Sequence, residues 1–202
     1  SQFAIEYVPW QDASLEIARV VAPNGRLACV MHTTDSRIHA TTIDQLASFD
    51  ALFNSGLLEH AIRMAGLLAV ADTPAERAAL QQSREAERVR TSLNAAAQEV
   101  TERIAQAQTP LMLARTFEMI GNVLRLAPRM GAQRANEAIC SVESDLHDER
   151  YRLLHLRKAA LSPEAFATVA ASLHSLEFGE VAIHPIDQAD GMRLGWARTA
   201  HR

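Results

Sequence analysis

Three kinds of apolar spacing succeed one another along the chain. Phe3, Ile5 and Val8 follow a loose alternation that predicts the exit of a buried strand, which Pro9-Trp10 then breaks. In "DASLEIARVV", residues 12–21, the residues Leu15, Ile17, Ala18 and Val21 fall at near-helical spacing. This predicts a helix with Asp12 as N-cap and Pro23 as its end. Gly25 is expected to supply the positive φ of the Pro-Asn-Gly turn. "RLACVMH", 26–32, is then a short continuous apolar run of the kind found in strands buried on both faces, so the order predicts a helix feeding a parallel strand.

From Ser36 to Leu161 the period becomes helical, and helices are expected over 42–54, 56–71, 74–107, 110–127 and 132–159. In the third of these, Ala86, Val89, Leu93, Ala96, Val100 and Ile104 draw one apolar stripe along a long rod. Arg84, Glu85, Glu87 and Arg88 begin the opposite, solvated face. Pro74 and Pro110 fit first-turn positions, where proline costs no hydrogen bond. A bundle of three to five helices is expected, with the stripe at Val89, Leu93 and Val100 also offering a homodimer surface. After Leu161 a helix starts at Ser162 (N-cap), Pro163 and Glu164. Two strands follow, "EFGEVAIHPI" and "MRLGWARTA". Their turn-rich link "DQADG" is too short for a parallel crossover, so they are antiparallel neighbours.

Composition narrows the function classes. The chain has 202 residues, 22% of them charged, and a net charge of -4, which gives no basic footprint for a nucleic-acid partner. No apolar run approaches the length of a membrane span and no signal-peptide layout opens the chain, so the sequence predicts no membrane partner and a cytoplasmic protein. The two cysteines, Cys29 and Cys140, have no ligand-like spacing, and no histidine has a glutamate three residues before it. No metal site is expected. Glu143 and His147 read as a solvated pair on one helix face, and Trp196 as core. Neither Gly-x-Ser-x-Gly nor a P-loop occurs.

"FAIEYV", "LEIARVVAPNGRL", "LEFGEVAIHPI" and "LGWARTA" carry a resemblance. In this order they are similar to the fourth-strand exit, the following helix, turn and fifth strand, and the last two strands of class I S-adenosylmethionine-dependent methyltransferases. Asn24 stands where that family has the first glycine of a Gly-Gly pair, a mild change because Asn tolerates left-handed backbone. The resemblance covers 1–36 and 162–202 and leaves the helical middle uncovered. It implies an α/β fold: the C-terminal half of a Rossmann-like sheet, strands 4-5-7-6 with the last strand antiparallel, as a partial domain 1–36 and 162–202. An all-α insertion, 37–161, serves as lid, substrate-selectivity element or dimerisation surface. The eight glycines contain no G-x-G pair, so the family's glycine-rich cofactor loop is expected upstream of Ser1.

The resemblance implies a methyltransferase using S-adenosylmethionine on a small-molecule substrate, with the cofactor-binding half outside this chain. Strand ends on the carboxyl side present the ligands in such a sheet. On that rule Ser1, Gln2 and Phe3 lie by the cofactor; His32 and Tyr7 are the catalytic candidates; and Glu6, Thr33, Asp35 and Ser36 are the substrate-binding ones. The residues themselves also allow plainer roles: packing for Phe3 and Tyr7, a strand-end hydrogen bond for His32, and helix capping for Asp35-Ser36. A second function class stays open, a non-catalytic helical dimerisation or interaction module derived from a methyltransferase.

Overall fold

The computed structural model describes residues 1–179 and 181–201. It is a mixed α/β protein, mainly helical, with one small sheet. A single 3-10 turn at Ile5–Tyr7 precedes α1 (Trp10–Val20) and β1 (Arg26–Met31). Helices α2 (Arg37–Asn54), α3 (Leu57–Ala69), α4 (Pro74–Gln82), α5 (Arg84–Gln106), α6 (Leu111–Met130), α7 (Ala132–Ala159) and α8 (Pro163–Ser175) follow. The described chain ends with β2 (Val181–Asp187) and β3 (Arg193–His201). It divides into two compact units, Ser1–Ile43 with Arg152–Arg202, and Asp44–Tyr151, the divisions falling inside α2 and α7.

In the first unit the strand order is β1-β3-β2 and both pairings are antiparallel. The central strand β3 sets Arg198 opposite Cys29 and Trp196 opposite Met31. β1 therefore runs antiparallel to its neighbour in the sheet. Its parallel contact lies on the other side, in an isolated bridge between Gln2 and Val30. That bridge is all of the expected strand exit, because Phe3 turns into left-handed backbone (φ 50) and Ile5–Tyr7 closes into the 3-10 turn. β1 is buried on one face only: Cys29 and Met31 are covered, while Arg26 and Ala28 are exposed. Its covered face packs with Phe166 and Val169 of α8, and nearby Trp10, Ile17 and Ala18 of α1 close on Leu173 and Ala200.

Local chemistry moves several boundaries. α1 starts at Trp10 with Pro9 in the cap position, so Asp12 lies in the first turn and caps nothing. In the turn before β1 it is Asn24 that takes positive φ (64), while Gly25 serves by close approach: a Cβ there would lie 2.7 Å from Ala22 O. α8 starts as expected, with the Ser162 hydroxyl accepting from Ala165 N and Pro163 following.

The second unit is a helical bundle in which α3 packs on α5 and α6. The expected rod over 74–107 is two helices. Thr73 and Glu76 form a capping box at the start of α4, and the Ser83 hydroxyl caps α5 by accepting from Ala86 N. Pro110 is the N-cap of α6 rather than its first turn, and α6 runs on through Pro128 to a Gly131 with φ 80. Along the α5 stripe Ala86, Ala96 and Val100 are buried while Val89 and Leu93 are half-buried, so Val100 itself has no surface to offer a second copy. His147 stacks on Phe53, with ring centroids 4.4 Å apart, in place of the expected solvated pair with Glu143.

Arg198 is the unusual member of the first unit's core. It is 1% exposed; one guanidinium nitrogen donates to Phe166 O at 2.6 Å, and the group lies 4.3 Å over the Phe166 ring. Among the described residues its Nε and Nη1 have no hydrogen-bond partner, and burial pushes its pKa down to about 10. A buried cation without a carboxylate is costly, whereas a flexible apolar side chain of similar length is not. Arg198→Met is therefore expected to raise unfolding stability by about 1–2 kcal/mol in urea titrations, and Arg198→Ala, which leaves a cavity, to lower it.

Candidate functional site

The carboxyl end of β1 is held from two sides. Thr33 bridges Leu161 in parallel, with Leu161 N donating to His32 O at 2.9 Å and Thr34 N to Leu161 O at 3.0 Å. On the other side Phe3 N donates to Val30 O and Val30 N to Ser1 O, so Ser1, Gln2 and Phe3 run beside the strand. The segment 32–36 thus leaves the sheet in a fixed direction. Two groupings are built on it.

The first surrounds His32, which is 7% exposed. Its ring stacks on Phe3 at 4.3 Å between centroids, and Tyr7 meets it edge-on at 6.4 Å. His32 N donates to Glu6 Oε1 at 3.1 Å, and the same oxygen lies 4.0 Å from His32 Nε2. Among the described residues Glu6 Oε2 and His32 Nδ1 are buried without a hydrogen-bond partner. Burial pushes the imidazole below its ordinary pKa, the Glu6 carboxylate only partly opposing it, so His32 is neutral around pH 7. The Tyr7 hydroxyl is raised by burial and by Glu6, with Arg152 opposing. Tyr7 is 44% exposed. Of the two catalytic candidates, His32 holds the form able to accept a proton and Tyr7 the form able to give one.

The His32 shift has a stability consequence. A histidine whose folded pKa lies below the ordinary 6.5 binds fewer protons folded than unfolded in the interval between the two values. Its contribution is fully present above pH 6.5 and is lost as pH falls through the folded pKa. Unfolding titrations of the wild-type chain from pH 8 to pH 5 are expected to show that loss. His32→Gln, which does not titrate, should flatten this part of the profile; an unchanged slope would mean that His32 is not the group responsible.

The second grouping centres on Asp35. Its Oδ1 accepts from Thr33 Oγ1 at 2.6 Å, and its Oδ2 from Trp196 Nε1 at 3.2 Å and Arg193 Nη1 at 3.4 Å. Burial pushes the carboxyl up, but these donors more than offset it, so the net shift is downward and Asp35 is a carboxylate. Ser36 is buried and turned away. Its hydroxyl donates to Thr33 O and accepts from His39 N, which makes it the cap of α2 rather than a ligand-facing group.

Beside Asp35 lies a cavity of about 250 Å³ lined by Thr33, Asp35, Pro163, Phe166, Ala167, Ile183 and Trp196. Trp196 is half-buried: it packs against the core cluster of Cys29, Met31, Phe166 and Val169, as expected, and its indole also forms a pocket wall with its N–H on Asp35. His32 is not among the lining residues, so the two groupings share a backbone segment and not a cavity. Arg193, Phe166 and Ile183 went unread in the sequence. They come from β3, α8 and β2, and nothing local marks them as neighbours of Asp35.

Among the described residues no three His, Cys, Asp or Glu side chains converge to hold a metal ion, and no helix is long and apolar enough to cross a membrane. No family model, curated protein or solved structure matches the chain.

Proposed function

We propose that this chain is the carboxyl-terminal half of a class I S-adenosylmethionine-dependent methyltransferase that acts on a small molecule. One observation supports the reading: β1-β3-β2, with β3 antiparallel to both neighbours and a single parallel bridge from Gln2 on the other side of β1, agrees with the order 4-5-7-6 that the resemblance implies. The covering of one sheet face by α1 and α8 fits the same scheme.

Residues 1–202 do not by themselves make a holder for the cofactor. None of the eight glycines forms a G-x-G pair after a strand, so the grip on the nucleoside belongs to an upstream half of the sheet in this reading. The bound cofactor supplies an electrophilic methyl group. In this reading the residues of this chain would position the acceptor: Thr33 and Asp35 line the cavity that takes it, and the pair of Glu6 and the neutral His32, which does not line that cavity, holds the start of segment 32–36 in place.

The test is calorimetric titration of S-adenosylmethionine into the complete polypeptide, including whatever precedes Ser1, and into residues 1–202 alone. A dissociation constant around the micromolar range for the complete polypeptide only is the expected result. No heat from either, with a stable dimer of the short chain, would replace this reading by that of a non-catalytic interaction module.

A further inference from the structure

The cavity beside Asp35 has a chemistry that selects its occupant. Its walls are the rings of Phe166 and Trp196, tilted at 47° with centroids 6.3 Å apart, together with apolar side chains such as Ile183. Among the described residues Asp35 is the only ionisable one lining it, and Thr33 the only hydroxyl. At about 250 Å³ it falls below the roughly 300–1,000 Å³ of pockets for drug-sized ligands, so it suits a compact molecule.

The charges at its mouth do not cancel. Arg193 is shared between Asp187, at 2.5 Å, and Asp35, at 3.4 Å. Two carboxylates thus share the one Arg193 guanidinium, and the carboxylate with the longer contact is the one that lines the pocket. Arg193 lies 4.5 Å from the Trp196 ring centroid, so the indole already serves as a platform for a cation. A neutral apolar guest would leave that residual negative charge facing it, and an anion would be repelled by it.

We infer that this cavity binds a small organic cation, an amine with a compact apolar or aromatic body, the ammonium on Asp35 and the body between Phe166 and Trp196. The binding stands independently of the methyltransferase reading; only the naming of this amine as the methyl acceptor rests on it.

Benzylammonium, benzyl alcohol and benzoate share one ring and differ in the charge of the side group, and can be titrated calorimetrically into the complete polypeptide. Benzylammonium is expected to bind at least about tenfold more tightly than either of the others. Asp35→Asn should remove that preference and leave benzyl alcohol unchanged. Ile183→Trp, a change at a side chain 41% exposed, should fill the cavity and abolish binding of all three. Equal affinity for benzyl alcohol, an unaffected Asp35→Asn, or no heat at millimolar benzylammonium would overturn the inference. S-adenosylmethionine affinity is read separately: amine binding without it sinks only the methyltransferase reading, and cofactor binding without amine preference sinks only this one.

Discussion

Gly195→Ala is expected to cost about 3 kcal/mol, the upper end of what overpacking one methyl group does. A Cβ at this position would stand 2.5 Å from Met31 O, a backbone atom of β1. Gly195 sits on β3, which is paired on both sides, so it cannot retreat from β1 without breaking its ladder with β2. The damage should also reach the site, because Met31 immediately precedes His32 and Thr33. Both tryptophans, Trp10 and Trp196, belong to the first unit, so the urea midpoint by tryptophan fluorescence should fall. Gly66→Ala, which lies in the second unit and is read by far-ultraviolet circular dichroism, is the control: nothing lies within 4 Å of a Cβ there, and inside α3 alanine should gain about 0.8 kcal/mol. Equal, small effects at the two glycines would mean that β1 and β3 are not as closely apposed as described.

Asp44→Ala should be comparably severe in the second unit, at about 3 kcal/mol. The Asp44 carboxylate takes the Arg103 guanidinium at 2.6 Å through one oxygen; the other accepts from Gln108 N and Thr109 N. It thereby fastens the end of α5 and the start of the next connection to α2. The two side chains are 11% and 20% exposed, so water neither screens the pair nor replaces the lost partner well. Arg103 also donates to Ser48 and Asp44 O, and Asp44→Asn keeps an acceptor for the backbone N–H groups; a smaller loss is expected for it.

Burial opposes ionisation of Asp44, but Arg103 and these N–H groups leave its carboxyl below the ordinary value. Its contribution is therefore complete above the unfolded pKa of about 4 and fades as pH falls through the folded value. Asp50→Ala is the comparison. Its pair with Arg150 is 55% and 35% exposed, and its removal should cost no more than about 0.5 kcal/mol. Far-ultraviolet circular dichroism, dominated by the helices, reads both. If Asp50 mattered as much as Asp44, burial would not be what gives the latch its strength.

The start of α8 and the course of α5 were legible because their signals are local, whereas α1 starts at Trp10 before the expected Asp12 cap and α2 at Arg37 rather than 42. Ser162-Pro163-Glu164 announces α8 within three residues, and the stripe through Ala86, Ala96 and Val100 announces α5 by its period. The same stripe did not reveal the break at Ser83, where a serine cap competes with a helical continuation that pattern alone also permits. Asn24 was readable as a residue tolerant of left-handed backbone, but that it takes the positive φ in place of Gly25 depends on how Gly25 packs against Ala22.

The candidate site divides along the same line. By itself the sequence determined that His32, Thr33, Asp35 and Ser36 follow a buried strand, since an apolar run and its polar end are properties of adjacent residues. Only the tertiary structure decided that Ser36 turns inward as a cap, that Glu6 reaches His32, and that Trp196 lends its indole N–H to Asp35 across 161 residues of chain. Periodicity records which way a side chain faces relative to its own element. Which element it faces is set by the closing of the sheet, where strands distant in sequence come into hydrogen-bonded register.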